Sequence, residues 1–238
     1  MSADMTFSKR ELDKYLSELG KEFRRFNGKN AHAEVLLIGC ASIVINYDFR
    51  NMTNDADALI YTNAVMKDAI NRVRDNNRLP DDWLNEDFKK TTSFTEKLRG
   101  VSIPYRTFSN TLHVRTIAAE HLVAMKAMSG RQYKFDLSDI VGILHEHEKR
   151  GSPINKEAVY KAIFELYGKE SLPDISEQFL NAVFNSDIGY AEIYSQARKK
   201  EIEAKDILLE VQKTNPDMIN SDNLDDIISL AVQKREQS

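Results

Sequence analysis

Asp55 and Asp57 stand one residue apart in Asn54-Asp55-Ala56-Asp57-Ala58, a short segment downstream of the turn sequence Gly39-Cys40-Ala41-Ser42. The apolar run Glu34-Val35-Leu36-Leu37-Ile38 enters the glycine turn, and Ala58-Leu59-Ile60-Tyr61 leaves the acids with the composition of a strand. Side chains alternate along a strand, so Asp55 and Asp57 are expected on one face while Ala56 and Ala58 pack behind them. Two neighbouring carboxylates suit Mg²⁺, which is commonly held by one or two acids together with substrate phosphates. Paired metals of that kind support phosphoryl or nucleotidyl transfer. An isolated Asp-x-Asp more often caps a turn, here after Asn54. The strand and glycine turn ahead of the pair favour the metal-binding reading.

The elements that must position these acids follow from pattern. Ser8-Lys9-Arg10-Glu11 is a capping box, and Leu12, Tyr15, Leu16, Leu19, Phe23 and Phe26 form the buried stripe of the helix it opens, which Gly28 ends. Residues 34–38 read as a buried strand, 40–47 as a short helix and 55–61 as the acidic strand. A polar helix is expected at about 64–76, with Val65, Ala69 and Val73 facing inward. Two further strands, 101–108 and 112–117, are joined by a Ser109-Asn110 turn, and Pro104 places the first at an edge or bulge. Trp83, with Leu79, Leu84 and Phe88, reads as a core anchor under a loop rather than a base-stacking platform.

From Ala118 onward the pattern is helical. Ala119 to Met128 is one helix, stopped by Gly130, and Leu137, Ile140, Val141 and Leu144 mark the next. Gly151-Ser152-Pro153 is the expected boundary before the stripe of Val159, Ala162, Ile163 and Leu166. A long charged helix spans about 190–213, with Tyr190, Ile193, Ala197, Ala204, Ile207 and Val211 near a heptad register that Lys200 interrupts. Pro216 ends it, and Leu224, Ile227, Ile228 and Ala231 form a last stripe. The expected organisation is therefore 1–150 and a helical region 151–238.

Lys126, Arg131, Lys134, Asp136 and Asp139 form a second constellation. Asp136 is placed to cap orphan amides at a helix start and Asp139 to favour the positive end of its dipole. Lys126 and Arg131 have two readings: they neutralise triphosphate charge, or Lys126 pairs with Asp139 and locks two helices together. His145-Glu146-His147 is not a metal motif, because residues two apart on a helix do not share a face.

The glycine turn and the acidic pair together resemble the nucleotidyltransferase superfamily, whose signature is an apolar residue, Gly, Gly or Ser, a short helix and then Asp-apolar-Asp/Glu-apolar. Ile38-Gly39 and Asp55-Ala56-Asp57-Ala58 match it, and Arg50 and Thr53 resemble residues often found just before the acids. Cys40 stands where the family has Gly or Ser, and the spacing to Asp55 is slightly long. Leu79 to Phe88, and Leu122 to Arg131 running into Lys134 to Ile140, are similar to a bacterial nucleotidyltransferase-like family of unknown function, distantly related to the toxin components of abortive-infection systems. The resemblance spans roughly 30–170. It implies an α/β (α+β) fold, a mixed sheet flanked by helices with a helical C-terminal extension. It further implies Asp55 and Asp57 as catalytic and metal-binding residues for Mg²⁺ or Mn²⁺, and Gly39, Cys40, Ser42, Lys126 and Arg131 on the nucleotide. The implied reaction moves a nucleoside monophosphate from a nucleoside triphosphate to RNA, protein or a small molecule. The alternative is a catalytically reduced relative that binds nucleotide or a protein partner through its C-terminal helices. Active members usually carry a third carboxylate on a later strand. Neither 101–108 nor 112–117 contains an acid, and Glu96 is the nearest substitute.

With 238 residues, 42% of them hydrophobic, the chain can bury an ordinary core, and a net charge of −4 gives no global basic field for nucleic acid. One cysteine excludes an intrachain disulfide and a Cys-rich zinc site. The start Met1 to Thr6 has no signal-peptide core and no stretch approaches a membrane span, so a soluble cytoplasmic protein is expected.

Overall fold

Ser8 opens the first helix as its spacing predicts. In the computed structural model, which describes residues 5–168, 171–214 and 224, α1 runs Lys9–Asn27, and the Ser8 and Glu11 side chains reciprocally cap each other's backbone amides. Such a cap contributes about 1 kcal/mol, and it fixes where the helix begins relative to the sheet. Gly28, at φ 84°, takes the chain out of the helix in a conformation that a side chain would resist. The stripe from Leu12 to Phe23 is buried, but Phe26 is 43% exposed: it lies on the last turn, where the helix has run past the sheet it covers.

A five-stranded mixed sheet follows, built from β1 (Ala33–Leu37), β2 (Ala56–Thr62), β3 (Leu84–Asn85), β4 (Ser102–Phe108) and β5 (Leu112–Ile117) in the spatial order β3, β2, β1, β5, β4. β1 pairs antiparallel with β2 and parallel with β5. β2 pairs parallel with β3, and β4 antiparallel with β5. Between strands lie α2 (Gly39–Asn46) and α3 (Lys67–Asn77). Ser109 and Asn110 carry positive φ in the β4–β5 turn. Pro104 has both expected properties, on an edge strand and at a break in the register. α3 starts later than expected, and Val65 is 57% exposed ahead of it, whereas Ala69 and Val73 are buried.

One face of this sheet is the core. Val35, Leu37, Ala58, Leu112 and Val114 pack with Leu16, Leu19 and Phe23 of α1 and with Val73 of α3. Trp83 is fully buried in the same cluster, edge-on to Tyr15, as expected of an anchor. The strict alternation of the strands then assigns Asp57, Leu59 and Leu36 to the opposite face. α1 lies so close to β4 that a methyl group on Gly20 would stand 2.9 Å from the Phe108 Cβ and 3.2 Å from its backbone.

Helices make up the rest: α4 (Ala119–Ser129), α5 (Asp136–Lys149), α6 (Lys156–Tyr167), α7 (Asp174–Phe184) and α8 (Tyr190–Thr214). Packing divides the chain into two units, Met1–Met125 with Ala162–Gly168, and Lys126–Lys161 with Lys169–Ser238. Both cuts in the first stretch of helices fall within an element, α4 and α6, so no linker composition marks them. In the first unit the end of α6 is tied down by His121 Nε2 to Glu165 (2.8 Å) and by the Tyr167 hydroxyl donating to the Ser93 carbonyl (2.8 Å). In the second, α8 buries Ile193, Ala197, Glu201, Ala204, Ile207 and Leu208, so the seam passes through Glu201 rather than Lys200. Leu224 packs near Ala204 and Leu208, while Pro216, Ile227, Ile228 and Ala231 lie outside the described residues. Among the described residues no helix is long and apolar enough to cross a membrane.

The α1–β4 contact yields a test. Gly20→Ala gains helix propensity of up to about 1 kcal/mol, yet overpacking of a tight contact costs about 1–3 kcal/mol. A net loss of stability is expected in urea unfolding, with an unchanged m-value; a stabilised variant would show that the helix and strand are not in this contact.

Candidate functional site

The glycine turn joins β1 to α2, and its geometry follows from the strand pairing. Ile38 continues β1 by donating its N–H to the Asp57 carbonyl (2.9 Å). Gly39 then turns at φ 53°, and α2 begins with no side-chain cap, since Ile38 offers no acceptor. A helix start of this kind presents backbone N–H groups and the positive end of a dipole, which favours anions. A Cβ built on Gly39 would lie 4.0 Å from Oδ2 of Asp57. The carboxylate therefore sits directly over the turn.

Asp55 lies in the bend just before β2 and Asp57 is its second residue. Both are partly exposed, while Ala56 and Ala58 are buried, the alternation expected of acids on one side of a strand. Thr53 prepares the bend from below: its backbone pairs with Phe7 in both directions (2.6 and 3.0 Å), and its hydroxyl donates to the Asp55 carbonyl (2.9 Å). Ser42, expected on nucleotide, is fully buried, and its Oγ accepts the Ile117 N–H (3.2 Å), joining α2 to the end of β5. Cys40 is partly exposed in the first turn of α2.

The strand next to Asp57 on its outer side is β3, which sequence reading missed because two residues carry no periodicity. Its register sets Asn85 opposite Asp57, so an amide stands where that neighbour could have supplied an acid. Glu86, one residue on, accepts the Ile60 N–H (2.9 Å) and pairs with Lys89 (2.7 Å). Glu96 opens a 3₁₀ turn at Glu96–Arg99. Among the described residues no three or more His, Cys, Asp or Glu side chains converge as a metal site.

Lys126 and Arg131 fall in the second unit, and the residues just described in the first. Lys126 is only 4% exposed, with Nζ 2.8 Å from both Asp136 and Asp139, and Arg131 Nε lies 2.9 Å from Asp136. This is the helix-locking arrangement weighed above. Burial pushes Asp136 up, but the charges and hydrogen bonds of Lys126 and Arg131 outweigh it and bring the carboxyl to about 2. Asp136 does not cap α5. The amides of Leu137 (2.9 Å) and Ser138 (3.3 Å) are instead accepted by Glu201 from α8, a tertiary cap that no local pattern signals. Phe135 precedes α5 at φ 64°, without a cap of its own.

Removing the lysine takes its charge away from two buried carboxylates, of which Asp136 keeps the partly exposed Arg131. Lys126→Met is expected to cost about 3–5 kcal/mol in chemical unfolding. Because the folded Asp136 titrates below its unfolded value of 3.8, its contribution is complete above that value and is lost as pH falls through about 2. The variant's acid transition should therefore shift to higher pH than the wild type's; coincident transitions would contradict the network's role.

No curated protein and no solved structure matches the chain significantly. A family model, described as nucleotidyltransferase of unknown function (DUF6036), matches residues 14–147, which hold most of α1, the whole sheet, the glycine turn, both acids and the buried ion network. That stretch is more than half of the chain, and the chain belongs to this nucleotidyltransferase family of unknown function.

Proposed function

We propose that the chain is a metal-dependent nucleotidyltransferase that moves a nucleoside monophosphate from a nucleoside triphosphate to an acceptor hydroxyl. The observation that carries the reading is the placement of the Asp57 carboxylate 4.0 Å from the vacant Cβ position of Gly39, at the uncapped start of α2. A side chain at residue 39 would fill the space between the acid and the helix amides. Its absence leaves room for a phosphate that meets N–H groups on one side and an acid-bound cation on the other.

Asp55 and Asp57 would hold Mg²⁺ or Mn²⁺, and two acids with phosphate oxygens and water make up the donor set that these hard cations favour. When bound, the cation supplies charge neutralisation on the phosphates. The chain's own contribution is positional. Gly39 lets the backbone approach the phosphate, Cys40 and the following amides of α2 orient it, and Thr53 and Ser42 hold the two ends of the site from beneath. In the reaction the acceptor hydroxyl gives its proton to solvent, its oxygen forms a bond to the α-phosphorus, and the α–β anhydride bond breaks, its electron pair leaving with pyrophosphate. The acceptor belongs to one of three classes: RNA, protein or small molecule.

Asn85 favours a second reading. With an amide opposite Asp57, the chain could bind nucleotide and metal while lacking a base for the acceptor hydroxyl, and serve by binding nucleotide or a protein partner.

Replacing both acids by asparagine tests the shared premise. Asp55→Asn with Asp57→Asn should keep the circular dichroism spectrum and lower Mg²⁺-dependent ATP or GTP affinity at least tenfold in calorimetric titration. Equal affinities would remove the metal site. Incubating the wild type with radiolabelled triphosphates and cell extract separates the two readings: a labelled product supports transfer, and nucleotide binding without any product supports the reduced relative.

A further inference from the structure

The second unit contains a cavity of about 490 Å³, within the size range of small-molecule sites. It lies between α7 and α8 beside the start of α5, with walls that include Leu137, Phe179, Val183, Ile193 and Ala197. One group in this lining is out of character. Glu201 is 2% exposed and belongs to a lining in which the other charged residues, Lys200 and Glu203, are exposed.

Buried carboxylates are ordinarily paired with a cation. The partners of Glu201 are neutral: the amide of Leu137 to Oε1, the amide of Ser138 to both oxygens, and the Ser138 hydroxyl. Among the described residues no lysine, arginine or histidine forms an ion pair with it. The amides satisfy hydrogen bonds and bring the positive end of the α5 dipole, equivalent to roughly half a charge. Arg198, one turn earlier on α8, lies over the Phe135 ring, 3.5 Å from its centroid, and forms no ion pair with Glu201. Asp139 on α5 adds a like charge and is already engaged by Lys126. On α8, Lys200 and Glu203 also line the cavity and are exposed and opposite in sign, and α7 adds no charged residue to the lining.

We propose that this cavity is a binding site for a hydrophobic ammonium ligand, whose alkyl or aryl body fills the space between α7 and α8 and whose cation pairs with Glu201. The body replaces solvent against apolar walls, and the ammonium supplies a counter-charge that Glu201 lacks among the described residues. The carboxylate keeps a lone pair for it, since two amides and one hydroxyl do not exhaust the four acceptor sites of its two oxygens. Burial, reinforced by Asp139, pushes Glu201 up to about 7 against the pull of the amides. An ammonium ligand is therefore expected to bind more tightly as pH rises through 7, because binding requires the ionised acid while the amine stays protonated.

Calorimetric titration of the full-length chain with octylammonium, octanol and octanoate at pH 6 and pH 8 tests this. At pH 8, saturable one-site binding of octylammonium is expected, at least tenfold tighter than octanol, with octanoate weakest, and the preference should shrink at pH 6. Glu201→Gln should bring octylammonium and octanol to within about twofold. Ala182→Trp, at an exposed position of the lining, should abolish binding of all three and keep the helical spectrum. If Glu201→Gln fails to fold, the pH dependence in the wild type and the loss in Ala182→Trp decide. No binding, equal affinities for the amine and the alcohol, binding unaffected by pH, or full binding by Ala182→Trp would each overturn the proposal.

Discussion

The candidate site depends on one strand pairing. β1 and β2 run antiparallel through Leu37 and Ala58, and Ile38 extends the ladder to the Asp57 carbonyl. Because that bond ties the residue between β1 and the glycine turn to the backbone of the acid itself, the turn and the carboxylate cannot move independently. A one-residue slip would exchange the faces of β2 and send Asp57 into the packed side, where Ala56 and Ala58 now lie. The apolar residues facing α1 thus protect the register, and the register keeps the acid over Gly39. The fixed start of α1 contributes to the same end, since the Phe7 backbone pairs with Thr53 just before the acids.

The second unit uses charge where the first uses apolar packing. Lys126 gathers Asp136 and Asp139, Arg131 shares Asp136, and Glu201 closes the start of α5 from a helix far along the chain. Removing both partners of a buried pair can be nearly neutral in energy, whereas removing one is costly. A network of this kind therefore specifies how α4, α5 and α8 meet more than it adds to stability. Lys126 and Arg131 remain candidates for nucleotide contact only by resemblance, while the geometry gives both of them a partner in Asp136.

What could be read in advance was what local chemistry dictates. Ser8 with Glu11, the turn at Ser109-Asn110, Pro104 at an edge and the acids after a glycine turn each follow from neighbours in sequence, and the mixed sheet flanked by helices follows from their order. The rest was set by distance along the chain. β3 is two residues long and exists only because β2 offers it a partner. α7 follows Pro173 and was legible in Ile175, Phe179, Leu180 and Val183 at helical spacing, although the fold buries Ser176 with Leu180 and Val183 and leaves Ile175 exposed. Glu201 looked like part of a charged helix, and only folding brings it to the amides of α5. Phe26 and Val65 carry the right residue types at the right spacing, but Phe26 lies where α1 passes the edge of what it covers and Val65 lies ahead of the start of α3.

The central claim is that Asp55 and Asp57 bind a divalent cation over the Gly39 turn. Crystals grown with Mn²⁺ and a non-hydrolysable nucleoside triphosphate test it through the anomalous signal of the metal. The account predicts a peak at about 2.0–2.3 Å from carboxylate oxygens of both acids, the range of hard-cation coordination, with triphosphate density reaching the first amides of α2. Triphosphate density away from α2, or manganese bound elsewhere with Asp55 and Asp57 bare, would contradict it.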